Sequence, residues 1–254
     1  MDFQKIFFSQ KQRIITGFGL LFAVLLFAYI DNLIFTWLVL GCAYMFAFYE
    51  AMQLFGAQDN KLFVYAICLW IAALFYPNPE DLIYILLIIF LAIMAHKKQL
   101  NMQLIAPFLY PSISMLFLFT LYKDFGMGIF VWLIVIVALS DTGAYFVGKS
   151  IGKTPFSLTS PNKTWEGSIG GIVLASFVGT FVGTLHVSFW LAFLVSLAVS
   201  VAAVWGDLFE SYLKREAGVK DSGTIFPGHG GILDRFDGYL FGSVVMVVLL
   251  RGLV

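Results

Sequence analysis

The feature that most limits how this chain can fold is a succession of apolar runs near membrane length, separated by short polar segments. They cover residues 14–30, 33–55, 61–76, 82–96, 105–122, 127–148, 168–187, 189–206 and 236–254. An apolar run of about 20 residues crosses a bilayer core as a helix, because lipid offers no partner to an unpaired backbone N–H or C=O. The pattern predicts an all-α, polytopic membrane helical bundle of about nine transmembrane helices, one integral membrane domain over residues 1–254. The third and fourth runs are short, which suits a tilted hairpin or a partly re-entrant pair. Composition agrees: 61% of residues are hydrophobic and 12% charged, against roughly a quarter charged in soluble domains. The basic segment from Lys5 to Arg13 looks like the start of a signal sequence. No small-residue cleavage site follows, so an uncleaved anchor is expected. Cys42 and Cys68 sit inside apolar runs and read as small buried hydrophobes rather than a disulfide or metal pair.

Positive charge is unevenly placed. With the N-terminus inside, Lys5, Lys11, Arg13, Lys61, Lys97, Lys98, Lys149, Lys153, Lys163, Lys214, Arg215, Lys220 and Arg235 fall on one side, and Lys123 and Arg251 on the other. Cytoplasmic loops carry the excess of Lys and Arg, which predicts N-in/C-out. The segments 149–167 and 207–235 then share the cytoplasmic side. No internal repeat is visible, and many transporters are built from inverted repeats.

The polar residues concentrate in Gly206–Gly238, which holds six carboxylates and four basic side chains. Asp207, Glu210, Ser211 and Lys214 recur at helical spacing, so several share a face. A carboxylate at the hydrocarbon edge is costly and is a functional candidate by default, with a snorkelling helix end as the plainer reading. Asp234, Arg235 and Asp237 open the last run, where a surface ion-pair cluster is the plainer reading. They follow Pro227-Gly228-His229-Gly230-Gly231, and glycines let a backbone present its N–H groups to phosphate. A lone histidine such as His229 is as easily structural as catalytic. Asp207 and Asp234, facing each other across two helices, would suit Mg²⁺ as hard oxygen ligands.

The run Ser211-x-Leu213-Lys214-Arg215-x₄-Lys220-Asp221-x-Gly223, continuing through Phe226-Pro227-x-His229-Gly230-Gly231-Ile232-x-Asp234-Arg235-Phe236-Asp237, resembles the signature of the phosphatidate cytidylyltransferases, or CDP-diacylglycerol synthases. A second segment, Asp141-x-x-Ala144-Tyr145-x-x-Gly148-Lys149-x-x-Gly152-Lys153, leads into Ser160-Pro161-Asn162-Lys163-Thr164-x-Glu166-Gly167 and resembles the other polar region of that family. The resemblance covers the C-terminal half. Residues 1–125 match only as a hydrophobic pattern and read as N-terminal packing and lipid-facing helices, with 126–254 holding the catalytic helices.

The resemblance implies transfer of a cytidylyl group from CTP to phosphatidic acid within a bacterial cytoplasmic membrane. It implies Mg²⁺, with a second metal or a monovalent cation as an addition. Asp207, Asp234, Lys214 and Lys163 would be catalytic, and Asp207 and Asp234 metal ligands, with Asp237, Glu210 and Asp141 as further candidates. Lys163, Ser160, Asn162, Lys214, Arg215, Lys220, Asp221, His229, Gly230, Gly231 and Arg235 would contact substrate. CTP, phosphatidic acid and membrane lipid are the expected partners, with a homodimer open and no nucleic acid. The competing readings are a CTP-dependent polyprenol- or phytol-type kinase and, from another class, a transporter. A transporter should carry its charges near mid-bilayer, not at helix ends.

Overall fold

The computed structural model describes residues 17, 19, 21–98, 102–226 and 230–253. Among these the chain is helical, with two isolated bridges, Pro155 with Thr164 and Phe226 with Gly230, as its β pairing. The helices are α1 (Leu21–Ile30), α2 (Leu33–Leu54), α3 (Lys61–Phe75), α4 (Leu82–Lys97), α5 (Met102–Pro107), α6 (Ile113–Ile151), α7 (Trp165–Gly183), α8 (Phe189–Glu216) and α9 (Leu233–Leu253). A 3-10 turn, Pro79–Asp81, leads into α4, and a π turn, Phe108–Ser112, joins α5 to α6. Six stretches among the described residues are long and apolar enough to cross a membrane: Leu33–Leu54, Pro79–Lys97, Met102–Ile151, Trp165–Gly183, Phe189–Glu216 and Leu233–Leu253. α3 and the described part of α1 are shorter.

One of the six is 50 residues long. A straight helix of that length would run about 75 Å, more than twice a bilayer core of about 30 Å. It breaks at Gly126, whose φ of 77° and ψ of −178° are open to glycine and closed to other residues. The neighbours on α9 show that the chain doubles back there. Before Gly126, Tyr110 packs on Phe241 and Asp124 pairs with Arg251, so this arm runs parallel to α9. After it, Leu133 lies against Gly242 and Val137 against Gly238, so the second arm runs antiparallel.

Close backbone approach holds the C-terminal helices together. α7 carries Gly167, Gly171, Ala175, Gly179 and Gly183 at four-residue spacing, a stripe of small residues of the kind that lets membrane helices approach. A Cβ on Gly167 would lie 2.7 Å from the Ala144 carbonyl oxygen, and one on Gly179 would lie 2.8 Å from Ile136 Cγ1. Trp132, fully buried against Gly183, donates its indole N–H to Ser196 Oγ at 3.2 Å and links α6 to α8. At the opposite end from the polar loops, the Arg251 guanidinium bonds Asp124 at 3.0 and 2.6 Å and also pairs with Glu80, which accepts from Thr120. That staple fastens the end of α9 to the fold-back and to the turn before α4.

Two expectations are corrected. Hydropathy ends the eighth run at 206, but α8 continues to Glu216, so 207–216 is helix and not loop. Its polar residues face inward, where neighbouring helices replace lipid. Cys42 and Cys68 are free thiols as expected, yet both are exposed on the bundle's outer surface. A membrane bundle is apolar outside as well as inside, so an apolar run does not by itself say which face is buried. The basic segment Lys5–Arg13 lies outside the described residues.

Candidate active site

The site begins where α8 outlasts its apolar part. Asp207, Glu210, Ser211 and Lys214 line one face by the i, i+3, i+4, i+7 rule, and that face points into the protein. Glu210 is 0% exposed and Lys214 9%. Lys214 Nζ lies 3.2 Å from Glu210 Oε1 and donates to Asp234 Oδ1 at 2.6 Å, bridging α8 to α9.

The other oxygen of Asp234 is also engaged. Oδ2 accepts from Ser222 N at 2.8 Å, Ser222 Oγ at 2.9 Å and Gly231 N at 2.8 Å. The first turn of α9 and the loop before it are therefore tied to one carboxylate. Gly230 enters that turn with φ 80°, a conformation that favours glycine.

Glu50, near the end of α2, completes this anchor. It is 2% exposed. Its carboxylate accepts from Ile232 N at 2.9 Å and Leu233 N at 2.8 Å, and shares with Asp234 the single hydroxyl proton of Ser222, whose Oγ lies 2.8 Å away. A helix N-terminus leaves N–H groups unpaired and favours negative charge, and here a residue some 180 positions away in sequence supplies both. Gly223 and Gly231 are required by the fit, since a Cβ on Gly223 would sit 2.8 Å from Glu50 Cδ and one on Gly231 2.5 Å. Sequence reasoning passed over Glu50, although a carboxylate inside the run 33–55 is itself a signal. Glu50→Gln turns one acceptor oxygen into a donor facing donors. It should cost about 1–3 kcal/mol, and by loosening the loop lower kcat/KM by about 10–100-fold. Melting in detergent alongside turnover checks this, and wild-type values in both would show that the anchor is dispensable.

The 149–167 segment closes over the site from the other side. Glu166 accepts from Thr154 Oγ1 at 2.8 Å and from the Lys153 and Thr154 N–H groups at 3.2 Å. Thr164 caps α7 by accepting from Gly167 N at 3.1 Å, and Phe156 packs edge-on to Trp165 at 4.7 Å. Held this way, Lys163 forms an ion pair with Asp207. The two polar segments, distant in sequence, thus meet in one place.

Asp207 stands beside further carboxylates. α8 and α9 approach closely at Gly206, where a Cβ would meet the Asp237 carbonyl carbon at 3.2 Å. Asp237 is within electrostatic reach of Asp207, Glu210 and Asp141, and Asp141 of Lys163 and Arg235. Among the described residues no three acidic, His or Cys groups converge into a ready-made metal cage. Mg²⁺ rarely uses one, and is held by one or two carboxylates together with substrate phosphates. Glu210 Oε2 accepts from no donor among the described residues and Oε1 meets only the Lys214 ammonium, at 3.2 Å, so this buried carboxylate keeps acceptor capacity alongside Asp207 and Asp237. That donor set fits a hard cation. Asp207 would have to share with or release Lys163 to bind one, and Asp234, held by Lys214 and by the Ser222–Gly231 turn, would have to give up more.

The other expected contacts lie around this centre. Arg215 donates to Val219 O at 3.1 Å and Thr159 O at 3.4 Å, a second tie between the segments. Ser160 and Asn162 belong to the turn that delivers Lys163, whose N–H bonds Ser160 O at 3.1 Å. Lys220, Asp221 and Arg235 are exposed at the rim. His229 lies outside the described residues.

Comparison with known proteins extends the likeness through the N-terminal half. The model of the cytidylyltransferase family matches residues 11–253. The phosphatidate cytidylyltransferase of Helicobacter pylori strain J99 is 47% identical over 246 residues, covering 96% of this chain and 92% of that protein. The enzyme of that name from Thermotoga maritima is 30% identical over 262 residues, covering 95% of this chain and 96% of that protein. The one from Bacillus subtilis is 44% identical over 131 residues, about half of each chain. With the family's pattern running almost from end to end, the chain belongs to the cytidylyltransferase family.

Proposed function

We propose that this protein transfers the cytidylyl group of CTP to phosphatidic acid, giving CDP-diacylglycerol and pyrophosphate, at the cytoplasmic face of a bacterial inner membrane. The observation that carries the reading is the Lys163–Asp207 ion pair beside buried carboxylates. It brings a phosphate-neutralising cation and hard oxygen ligands together at the membrane-facing base of two basic loops. The relatives' printed names supply the reaction.

The chemistry is displacement at phosphorus. An oxygen of the lipid phosphate attacks the α-phosphorus of CTP, and the bond to the β-phosphate oxygen breaks. Both reactants are anions, so the chain's first task is to cancel their repulsion. Lys163, Arg215, Lys220 and Arg235 surround the approach and supply positive charge to the triphosphate. Asp207, with Asp237, Glu210 and Asp141 behind it, would hold magnesium. Magnesium bound there would draw charge from the α-phosphate and the departing pyrophosphate. Lys214, clamped between Glu210 and Asp234, fixes the start of α9 against α8 and so holds these groups in register. A lipid phosphate is already nucleophilic at neutral pH, so no strong general base is needed. The purified protein in detergent, given CTP labelled at the α-phosphate, Mg²⁺ and phosphatidic acid, should label lipid and release pyrophosphate in equal amounts. Label in lipid only from γ-labelled CTP would instead mean a lipid kinase.

The same reading includes nine passes with the N-terminus in and the C-terminus out. In support, successive helices alternate in direction relative to the site: Glu50 at the end of α2 and Lys214 near the end of α8 reach it, whereas Asp31 before α2 and Arg251 near the end of α9 lie at the far end. Reporter fusions after Arg251 and inside the 149–167 loop should report opposite sides of the membrane. Both on one side would sink the nine-pass arrangement.

A further inference from the structure

Tyr110 is a buried polar group that none of the roles above uses. It is 5% exposed, and its hydroxyl has no hydrogen-bond partner among the described residues. A buried hydroxyl without a partner loses its hydration for nothing in return, so such a group is normally satisfied. This one is not short of acceptors. The phenol lies within electrostatic reach of Glu210, Asp237, Asp207 and Asp234, yet it bonds to none of them.

The backbone around Tyr110 is also unusual for a membrane segment. The π turn Phe108–Ser112 interrupts the helix, and Tyr110 has φ −145° and ψ 117°. At membrane depth non-helical backbone is tolerated where it is packed in protein or lines a cavity. Here the break swings the ring between α8 and α9, edge-on to Phe209 at 5.1 Å and to Phe241 at 6.4 Å. Phe209 lies between Asp207 and Glu210, and Phe241 one turn beyond Asp237 on the side away from the loops. The ring is therefore held between α8 and α9 at the level of the carboxylates, reaching one turn past Asp237 toward the hydrocarbon side through Phe241.

We propose that the Tyr110 hydroxyl, held beside the site by Phe209 and Phe241 with no partner among the described residues, donates a hydrogen bond to a phosphate oxygen of the lipid substrate. This rests on the reading of the site as a cytidylyltransferase centre. The position decides between the two substrates. CTP arrives from water and meets the cationic loops first, whereas phosphatidic acid arrives from the bilayer and must bring its phosphate in from the hydrocarbon side. A neutral donor suits that side, because a second cation there would carry a heavy desolvation cost. The phenol also distinguishes this residue from the lysines and arginines, since it can orient a phosphate without adding charge.

Tyr110→Phe removes only the hydroxyl and keeps the ring packing. The wild type and variant are purified in detergent, melted, and assayed with phosphatidic acid and CTP varied independently. The expected result is a melting temperature equal to or above wild type, because an unsatisfied hydroxyl has been removed. With it should come a fall in kcat/KM for phosphatidic acid of about 10-fold or more, as for a lost hydrogen bond to a charged group, with KM for CTP unchanged. An unchanged kcat/KM for the lipid overturns the proposal. So does a loss that falls equally on both substrates with a lowered melting temperature, which would make the hydroxyl structural, or a loss confined to CTP. Turnover by the wild type tests cytidylyl transfer itself. A wild type that makes no CDP-diacylglycerol refutes that reading, while binding of phosphatidic acid without CTP, weakened in Tyr110→Phe, still tests the hydroxyl.

Discussion

Replacing Asp207 by Asn should lower turnover by at least about 10²-fold at saturating substrates, the scale of losing a ligand to a charge-stabilising metal, while the fold persists. Asn keeps the volume and removes the charge. Asp207 pairs with Lys163, and its side chain is 26% exposed, so solvent can cover the change and stability should move little. What is lost is functional: the carboxylate that meets Lys163 at the junction of the two polar segments, and the one beside Asp237 best placed to share a cation with substrate. Asp234→Asn should reduce turnover comparably by another route, because it frees Lys214 and the Ser222–Gly231 turn. Rates measured across a range of Mg²⁺ check both. Near-normal rates for Asp207→Asn at limiting Mg²⁺ would remove that residue from the mechanism.

Lys214→Met should be destabilising on a larger scale, by about 3–5 kcal/mol. Lys214 is the ammonium between Glu210, fully buried, and Asp234, 8% exposed. Removing it leaves two carboxylates facing each other without a counter-charge in a place water does not reach. Melting in detergent should show the loss. Adding Glu210→Gln to Lys214→Met should restore part of it, since one of the stranded charges is then gone. A single variant that melts with the wild type would show that Lys214 is not the counter-ion holding α8 to α9. Lys214→Arg should not rescue fully, because a planar fork does not replace a point charge in a closed pocket.

Much of the helix pattern was legible as hydropathy, and the places where the reading drifted share one cause. Hydropathy detects what faces lipid. It ended α8 at 206, where the residues turn polar, although the helix continues to Glu216 because Asp207, Glu210 and Lys214 face protein. It separated 105–122 and 127–148 as two passes, and the chain does reverse between them, at Gly126. It read Cys42 and Cys68 as buried, whereas both are exposed.

The polar segments were legible as a candidate site because charge next to a bilayer is costly. Asp207, Lys163, Lys214 and Asp234 stand out in the sequence for that reason. Their pairing does not. Lys163 meets Asp207 and Lys214 meets Asp234. Pairings of this kind depend on the rotation of each helix about its axis, which is set by close packing at glycines such as Gly167, Gly206 and Gly238. The contributions of Glu50 and Tyr110 were hidden more deeply, since both lie in a half of the chain that looks like lipid-facing helix.

By itself the sequence determined that this is a helical membrane protein and that its polar residues stand apart from the apolar spans in two segments. Those properties follow from the free energy of moving each side chain between water and lipid, which is local and nearly additive along the chain. The tertiary structure alone decided that α2 caps α9 through Glu50, that the π turn carries Tyr110 between α8 and α9 beside the carboxylates, and which cation serves which anion. Those depend on hydrogen bonds and packing between helices far apart in sequence. Their geometry exists only once the small residues have let the helices close on one another.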